Sequence, residues 1–161
     1  MMRSATAFLL ALAACTAAPA RGQEGRIFRT VQIGFRQPVT LGQPLRADVR
    51  LLLEPIGEHR FGVRKGTFSD AQSITVETGA DGTVRCMEFT YAPGFDYAAS
   101  ALSYERSLGE PASRTGAPAD SAQTTRWQDP RTVFELRRQG TRVSSRLCDR
   151  LATSSAGGSN R

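Results

Sequence analysis

"LRADVRLLLEP", residues 45–55, carries two periodicities at once. Leu45, Ala47, Val49, Leu51 and Leu53 fall on alternate positions, the pattern of a half-buried strand. Leu45, Val49, Leu52 and Leu53 also line up along one side of a helix. Local chemistry favours the helix. Pro44 suits a first helical turn, where its missing N–H is not needed. Leucine, arginine, alanine and glutamate are good helix formers, and Pro55 would stop continuation.

The stretch has an echo. "DVRLLLEP" at 48–55 resembles "YERSLGEP" at 104–111, with Arg50 matching Arg106, Leu52 matching Leu108, Glu54 matching Glu110 and Pro55 matching Pro111. The second copy ends a better-marked helix. Asp96 is a suitable N-cap. Tyr97, Ala101, Tyr104 and Leu108 follow at helical spacing, and Gly109 and Pro111 close the helix. Self-similarity at this period points to a duplicated unit, so Leu45–Leu53 is expected to be helical too. The alternative is a strand, which would remove the repeat.

Outward from these stretches the chain reads as strands. Ile27, Val31, Ile33 and Phe35 share one side of an alternating run that Pro38 and Gly42 end. "SITVETGADGTVRCMEFTY" at 73–91 is a hairpin centred on Asp81-Gly82. That centre sets Val76 opposite Met87 and Ile74 opposite Phe89 on the core face, with Glu77 and Cys86 on the other. Near the C-terminus, Asp129-Pro130 and Gln139-Gly140 mark two turns. With those centres Trp127 faces Thr132, Thr125 faces Phe134 and Leu136 faces Val143. Trp127, Phe134, Leu136, Val143 and Leu147 form a core face; Arg131, Glu135, Arg137, Arg142, Arg146 and Cys148 form the outer one. Residues 112–123, rich in Ala, Ser, Pro and Gly, read as a loop.

The 161 residues suit one domain or two small lobes. A unit of about 60 residues buries too little apolar surface to stand alone comfortably. The expected fold class is therefore α+β: two repeated helix-plus-antiparallel-strand units, 27–91 and 92–151, sharing a sheet with both helices on one face. A disordered tail is expected at 152–161.

The N-terminus reads as an export signal. Arg3 leads a ten-residue apolar run, Ala5–Ala14, too short to span a bilayer. Two cleavage readings stand. Leu12-Ala13-Ala14-Cys15 resembles the bacterial lipobox, which makes 1–14 a lipoprotein-type signal peptide, Cys15 the lipidated residue and 15–26 a tether. Ala18-Pro19-Ala20 resembles an ordinary A-x-A site. Either leaves Cys86 and Cys148, an even count that favours a disulfide in an exported chain. Both fall on the outer face of the last strand of a unit. If those strands pair antiparallel, equivalent positions meet and the cysteines can bond; the alternative is two unrelated buried thiols.

Catalytic and cofactor motifs are missing. His59 is the sole histidine, and neither C-x-x-C nor H-x-x-x-H occurs, so no metal and no cofactor is expected. There is no G-x-S-x-G, no Walker sequence and no G-x-G-x-x-G after a strand. Glu77 and Glu88 share a face with arginines, the usual make-up of a solvated charge network rather than an acid/base pair. The net charge is 21 − 15 = +6, with Lys65 the only lysine. Residues 131–150 hold six arginines against Glu135 and Asp149, 6 − 2 = +4. Arg131, Arg137, Arg142 and Arg146 form a candidate binding face for an acidic partner or anionic lipid; the competing reading is an arginine-rich face that keeps a sheet soluble. Nucleic acid is not an expected partner of an exported chain.

Gly42, Val49, Leu52 and Pro55, and more closely Leu108-Gly109-Glu110-Pro111, resemble the G-x-x…V-x-x-L-L-G-x-P helix of the SmpA/OmlA-type outer-membrane assembly lipoproteins. The tandem arrangement is similar to the beta-lactamase inhibitor proteins. Leu53 stands where the first family has glycine, and the run at Ile27–Phe35 is unmatched. The resemblance implies a non-catalytic lipoprotein of the bacterial envelope that binds other envelope proteins and is anchored in the membrane by lipid. Thr16, rather than aspartate, after Cys15 implies the outer membrane. The alternative is a soluble periplasmic or secreted protein inhibitor of an enzyme.

Overall fold

The computed structural model describes residues 27–33, 37–63 and 71–153. The expected signal at 1–14, the tether at 15–26, Phe35 and residues 154–161 lie outside the described residues. Along the chain come β1 (Thr30–Ile33), β2 (Gln37–Thr40), the single turn α1 (Ala47–Arg50), β3 (Leu53–Gly57), β4 (Arg60–Val63), β5 (Ala71–Thr78), β6 (Val84–Tyr91), α2 (Tyr97–Leu108), β7 (Ser113–Thr115), β8 (Ala122–Gln128), β9 (Thr132–Gln139), β10 (Arg142–Asp149) and the single turn α3 (Arg150–Thr153). β1 and β2 form a two-stranded ribbon. The other eight strands form one sheet in the order β3-β4-β5-β6-β10-β9-β8-β7, every neighbouring pair antiparallel.

The expected α+β fold of two repeated helix-plus-strand units is therefore corrected: the chain is mostly β, built on one continuous sheet, with a single helix of more than one turn among the described residues. The decisive stretch follows neither reading from end to end. Only Ala47–Arg50 is helical, and Leu53 already belongs to β3. The cause lies about 40 residues away. Gly42 N–H donates to Val84 O at 2.9 Å, Val84 N–H to Gln43 O at 2.9 Å, and Leu45 N–H to Gly82 O at 3.0 Å. Those bonds pin 42–45 against the β5–β6 turn in a non-helical path, so no helix can begin at Pro44. One turn remains, too short to stabilise itself because nucleation fixes several residues for each bond gained. It closes with Arg50 N–H on Arg46 O at 2.9 Å and tightens as Leu52 N–H bonds Val49 O at 2.9 Å. Val49 is buried, whereas Leu51 is 81% exposed. Pro55 does not end a helix. It sits in β3, at the sheet edge, opposite Phe61 and next to a register break, where a missing N–H is tolerated.

Where local chemistry was strong, the expectation holds. In α2, Asp96 Oδ1 accepts from Ala99 N–H at 3.0 Å, and Gly109 adopts φ +85° as its N–H caps Glu105 O. β5 and β6 pair with Ile74 opposite Phe89, Val76 opposite Met87 and Glu77 opposite Cys86, as read. The turn itself is wider than two residues: a register shift after Glu77 is absorbed there, and Gly82 alone takes φ +75°. In the C-terminal strands the faces are right and the partners are not. Trp127 lies opposite Phe134, Thr125 opposite Leu136, and Ser145 opposite Leu136, each a slip of two residues. A two-residue slip preserves the side-chain face, because the strand period is two. Residues 112–123 are not wholly loop, since β7 pairs there with β8.

One sheet face is the core. Ile74, Val76, Met87, Trp127, Phe134, Leu136, Val143 and Leu147 are buried under α2, Val49 of α1, and Ile33, Val39 and Leu41 of the ribbon. Burying each such side chain contributes about 1.5–3 kcal/mol. Tyr97 and Tyr104 are core contacts: Tyr97 Oη pairs with Thr125 Oγ1 at 2.8 Å, and the Tyr104 ring lies 4.6 Å from that of Phe134. Burial raises the Tyr104 phenol above its ordinary range, with a further push from Tyr91. Arg29 ties the ribbon down. It donates to Asp149 Oδ2 at 2.5 Å, to Leu41 O at 3.0 Å, to Thr132 Oγ1 at 2.9 Å and to Arg131 O at 3.0 Å.

Candidate binding face

The opposite face of the sheet carries the chain's polar surface, and strand alternation decides what it displays. Directly opposed across four strands stand Glu88, Arg146, Glu135 and Arg126, an alternating row of charge. The next row holds Arg60, Glu77, Cys86, Cys148, Val133 and Gln128. Cys86 and Cys148 meet there and form a disulfide, with Cα atoms 4.2 Å apart, the closer kind of antiparallel pair. The bond lies on the β6–β10 seam, where the strands of the two sequence halves join.

The candidate arginines separate into three situations. Arg137 and Arg146 lie on this face. Arg137 bonds Glu135, and Arg146 donates to Glu77 Oε2 at 2.8 Å while its Nε lies 3.3 Å from Cys148 Sγ. Arg142 shares the face at its far end and donates to Thr90 Oγ1 at 3.3 Å. Arg131 does not belong to it. It sits in the β8–β9 turn, where Asp129 Oδ1 accepts its N–H and its carbonyl accepts from Arg29 and Arg150. Reading the turn one residue pair too tight put Arg131 on the strand.

Arg126 is the residue that reading missed. Alternation with Trp127 would have found it, since a strand that buries Trp127 must turn Arg126 outward. Arg126 Nη1 stands 3.7 Å from Glu135 Oε1. Arg126, Arg137 and Arg146, with Glu135, Val133 and Cys148, line a hollow of about 340 Å³. The β8–β10 part of the face thus holds Arg126, Arg137, Arg142 and Arg146 against Glu135, 4 − 1 = +3. Across the seam, Glu54, Glu77 and Glu88 stand against Arg60, 1 − 3 = −2. Glu77 is gripped by Arg146 and, at 3.4 Å, by Arg60, so it belongs to an ion-pair network.

His59 occupies the β3–β4 turn, exposed and with φ +54°. Among the described residues no helix is long and apolar enough to cross a membrane. No family model matches the chain, and neither a curated protein nor a solved structure matches it.

Proposed function

We propose that the protein is a non-catalytic lipoprotein of the bacterial cell envelope, anchored through Cys15, that binds another envelope protein with the exposed face of its sheet. The observation that carries this reading is the Cys86–Cys148 disulfide. Such bonds persist in oxidising compartments, and an apolar N-terminal run after Arg3 is the means of reaching one. Pairing these two leaves Cys15 as the remaining cysteine, in the sequence context of a lipobox. The face displays paired charges on β4, β5, β6, β8, β9 and β10, and charge of both signs suits recognition of a protein with a complementary pattern. The resemblance to the SmpA/OmlA-type lipoproteins at Leu108-Gly109-Glu110-Pro111, where α2 does end, agrees with an outer-membrane location facing the periplasm and a role in assembly or maintenance.

Labelled palmitate supplied to producing cells should enter the protein, and Cys15→Ser should abolish the label. Soluble, unlabelled protein beginning after Ala20 would reject the lipoprotein and favour the secreted inhibitor. Crosslinking in cells, followed by mass spectrometry, should yield a partner joined to residues of the β8–β10 face; partners joined only to α2 or the ribbon would reject the face.

A further inference from the structure

Resting on that reading of the sheet face, we propose that the hollow between Arg126, Arg137 and Arg146 takes an acidic side chain from an extended segment of the protein partner. Three guanidinium groups and one carboxylate, Glu135, line the hollow, and Arg146 also pairs with Glu77, so the local balance is 3 − 2 = +1; Glu135 is only 16% exposed. Arg137 already engages Glu135 Oε2. Arg126 reaches the other oxygen at 3.7 Å, beyond hydrogen-bond range, and its Nε is buried without a hydrogen-bond partner. A buried donor left without an acceptor costs free energy. The Arg126 side chain as a whole is 42% exposed. An incoming carboxylate can therefore pair with its guanidinium, as a charge-assisted acceptor, although not with the buried Nε itself, and meets Arg137 and Arg146 as well. The other buried orphan among the described residues, Arg138 Nε, differs because Arg138 Nη2 is held by the carbonyls of Pro118 and Asp120.

The surroundings favour a peptide over a membrane. An anionic headgroup layer would cover the whole face and meet Glu77, Glu88 and Glu135 as well as the arginines. A single acidic side chain meets only the hollow, where the arginines remain in excess. Val133 and Cys148 line the hollow beside the arginines, so an apolar residue two positions from the acidic one, on the same side of an extended segment, finds cover there. The partner chemistry is therefore a strand-like segment with an acidic and an apolar residue at positions i and i+2.

The test uses the exported chain carrying Cys15→Ser to keep it in solution, with its disulfide intact and nitrogen-15 in its arginines. The probe is a capped five-residue peptide, Glu-Ser-Leu-Ser-Glu, and the control is the same peptide with glutamine for glutamate. The glutamate peptide should shift the Nε–Hε signals of Arg126, Arg137 and Arg146, more weakly at high salt. Arg126→Gln and Arg137→Gln should each weaken binding at least fivefold, and Arg106→Gln on α2 should leave it unchanged. Equal shifts from the glutamine peptide, or no shift at these arginines, would overturn the proposal. So would shifts produced by phosphatidylglycerol vesicles but not by the peptide. A crosslinked partner on another part of the same sheet face would reject the hollow while leaving the proposed function standing.

Discussion

Removing the Cys86–Cys148 bond should cost this protein a large share of its stability, and the size follows from where the bond sits. It joins residues 62 apart in sequence on the strand pair that connects the two halves of the sheet. Closing a loop of that length withdraws roughly 4 kcal/mol of chain entropy from the unfolded state at room temperature. A domain of this size is stable by about 5–15 kcal/mol in total. The appropriate variant is Cys86→Ala/Cys148→Ala, since a single substitution leaves a reactive thiol behind. Cys86 is 6% exposed and Cys148 9%, so the smaller side chains add a cavity cost of about 1 kcal/mol or less. Trp127, buried to 2% exposure and the sole tryptophan, is the reporter. With a urea dependence of about 2 kcal/mol per molar, the unfolding midpoint should fall by roughly 2 M. The native amide spectrum away from the seam should stay the same, because the entropic effect acts on the unfolded chain. A midpoint change below about 0.5 M would refute the loop-entropy argument for this bond.

Three further outcomes are expected. Arg29→Met strands the Asp149 carboxylate, whose side chain is 7% exposed, and should cost about 3–5 kcal/mol; a cycle with Asp149→Asn should show strong non-additivity in urea unfolding, and additive effects would deny the pair. Leu53→Ala should cost about 2–5 kcal/mol while Leu51→Ala, at a position 81% exposed, should change stability by less than about 0.5 kcal/mol; comparable losses at both would restore an alternating strand through the whole stretch. The Asp81 carboxyl is held below the ordinary aspartate range by hydrogen bonds from Thr83, with help from Arg85. Its contribution to stability is therefore present above the ordinary carboxylate value and is lost as pH falls through the lowered one; a carbon-13 titration midpoint at or above the ordinary value would contradict this.

Some features of the binding face were legible in the residues and some were not. Arg137, Arg142, Arg146, Glu77 and the two cysteines were placed on the correct face by parity, although the C-terminal partners were wrong by two residues. Parity survives such a slip because side chains alternate with period two. Arg131 was misplaced because a turn's extent depends on hydrogen bonds, here from Thr132 and Arg131 to Asp129, that its sequence does not spell out. Arg126 becomes part of the hollow only when β8 is laid against β9, which brings it opposite Glu135.

The sequence by itself determined the cap and stop of α2, the β5–β6 register, the faces of β8–β10 and the sheet face on which Cys86 and Cys148 stand. Each depends on chemistry within a few residues, or on a period that any register respecting burial must keep. The β6–β10 pairing that joins the two cysteines came from the tertiary structure. Tertiary structure alone decided the fate of "LRADVRLLLEP". Its local preference for a helix is worth a few tenths of a kcal/mol per residue. Against that stand backbone hydrogen bonds that tie residues 42–45 to 82–84, and a β3–β4 ladder that starts at Leu53. Those bonds come from strands assembled elsewhere in the chain. They leave one helical turn between the segment docked on the β5–β6 turn and β3, the edge strand of the eight-stranded sheet.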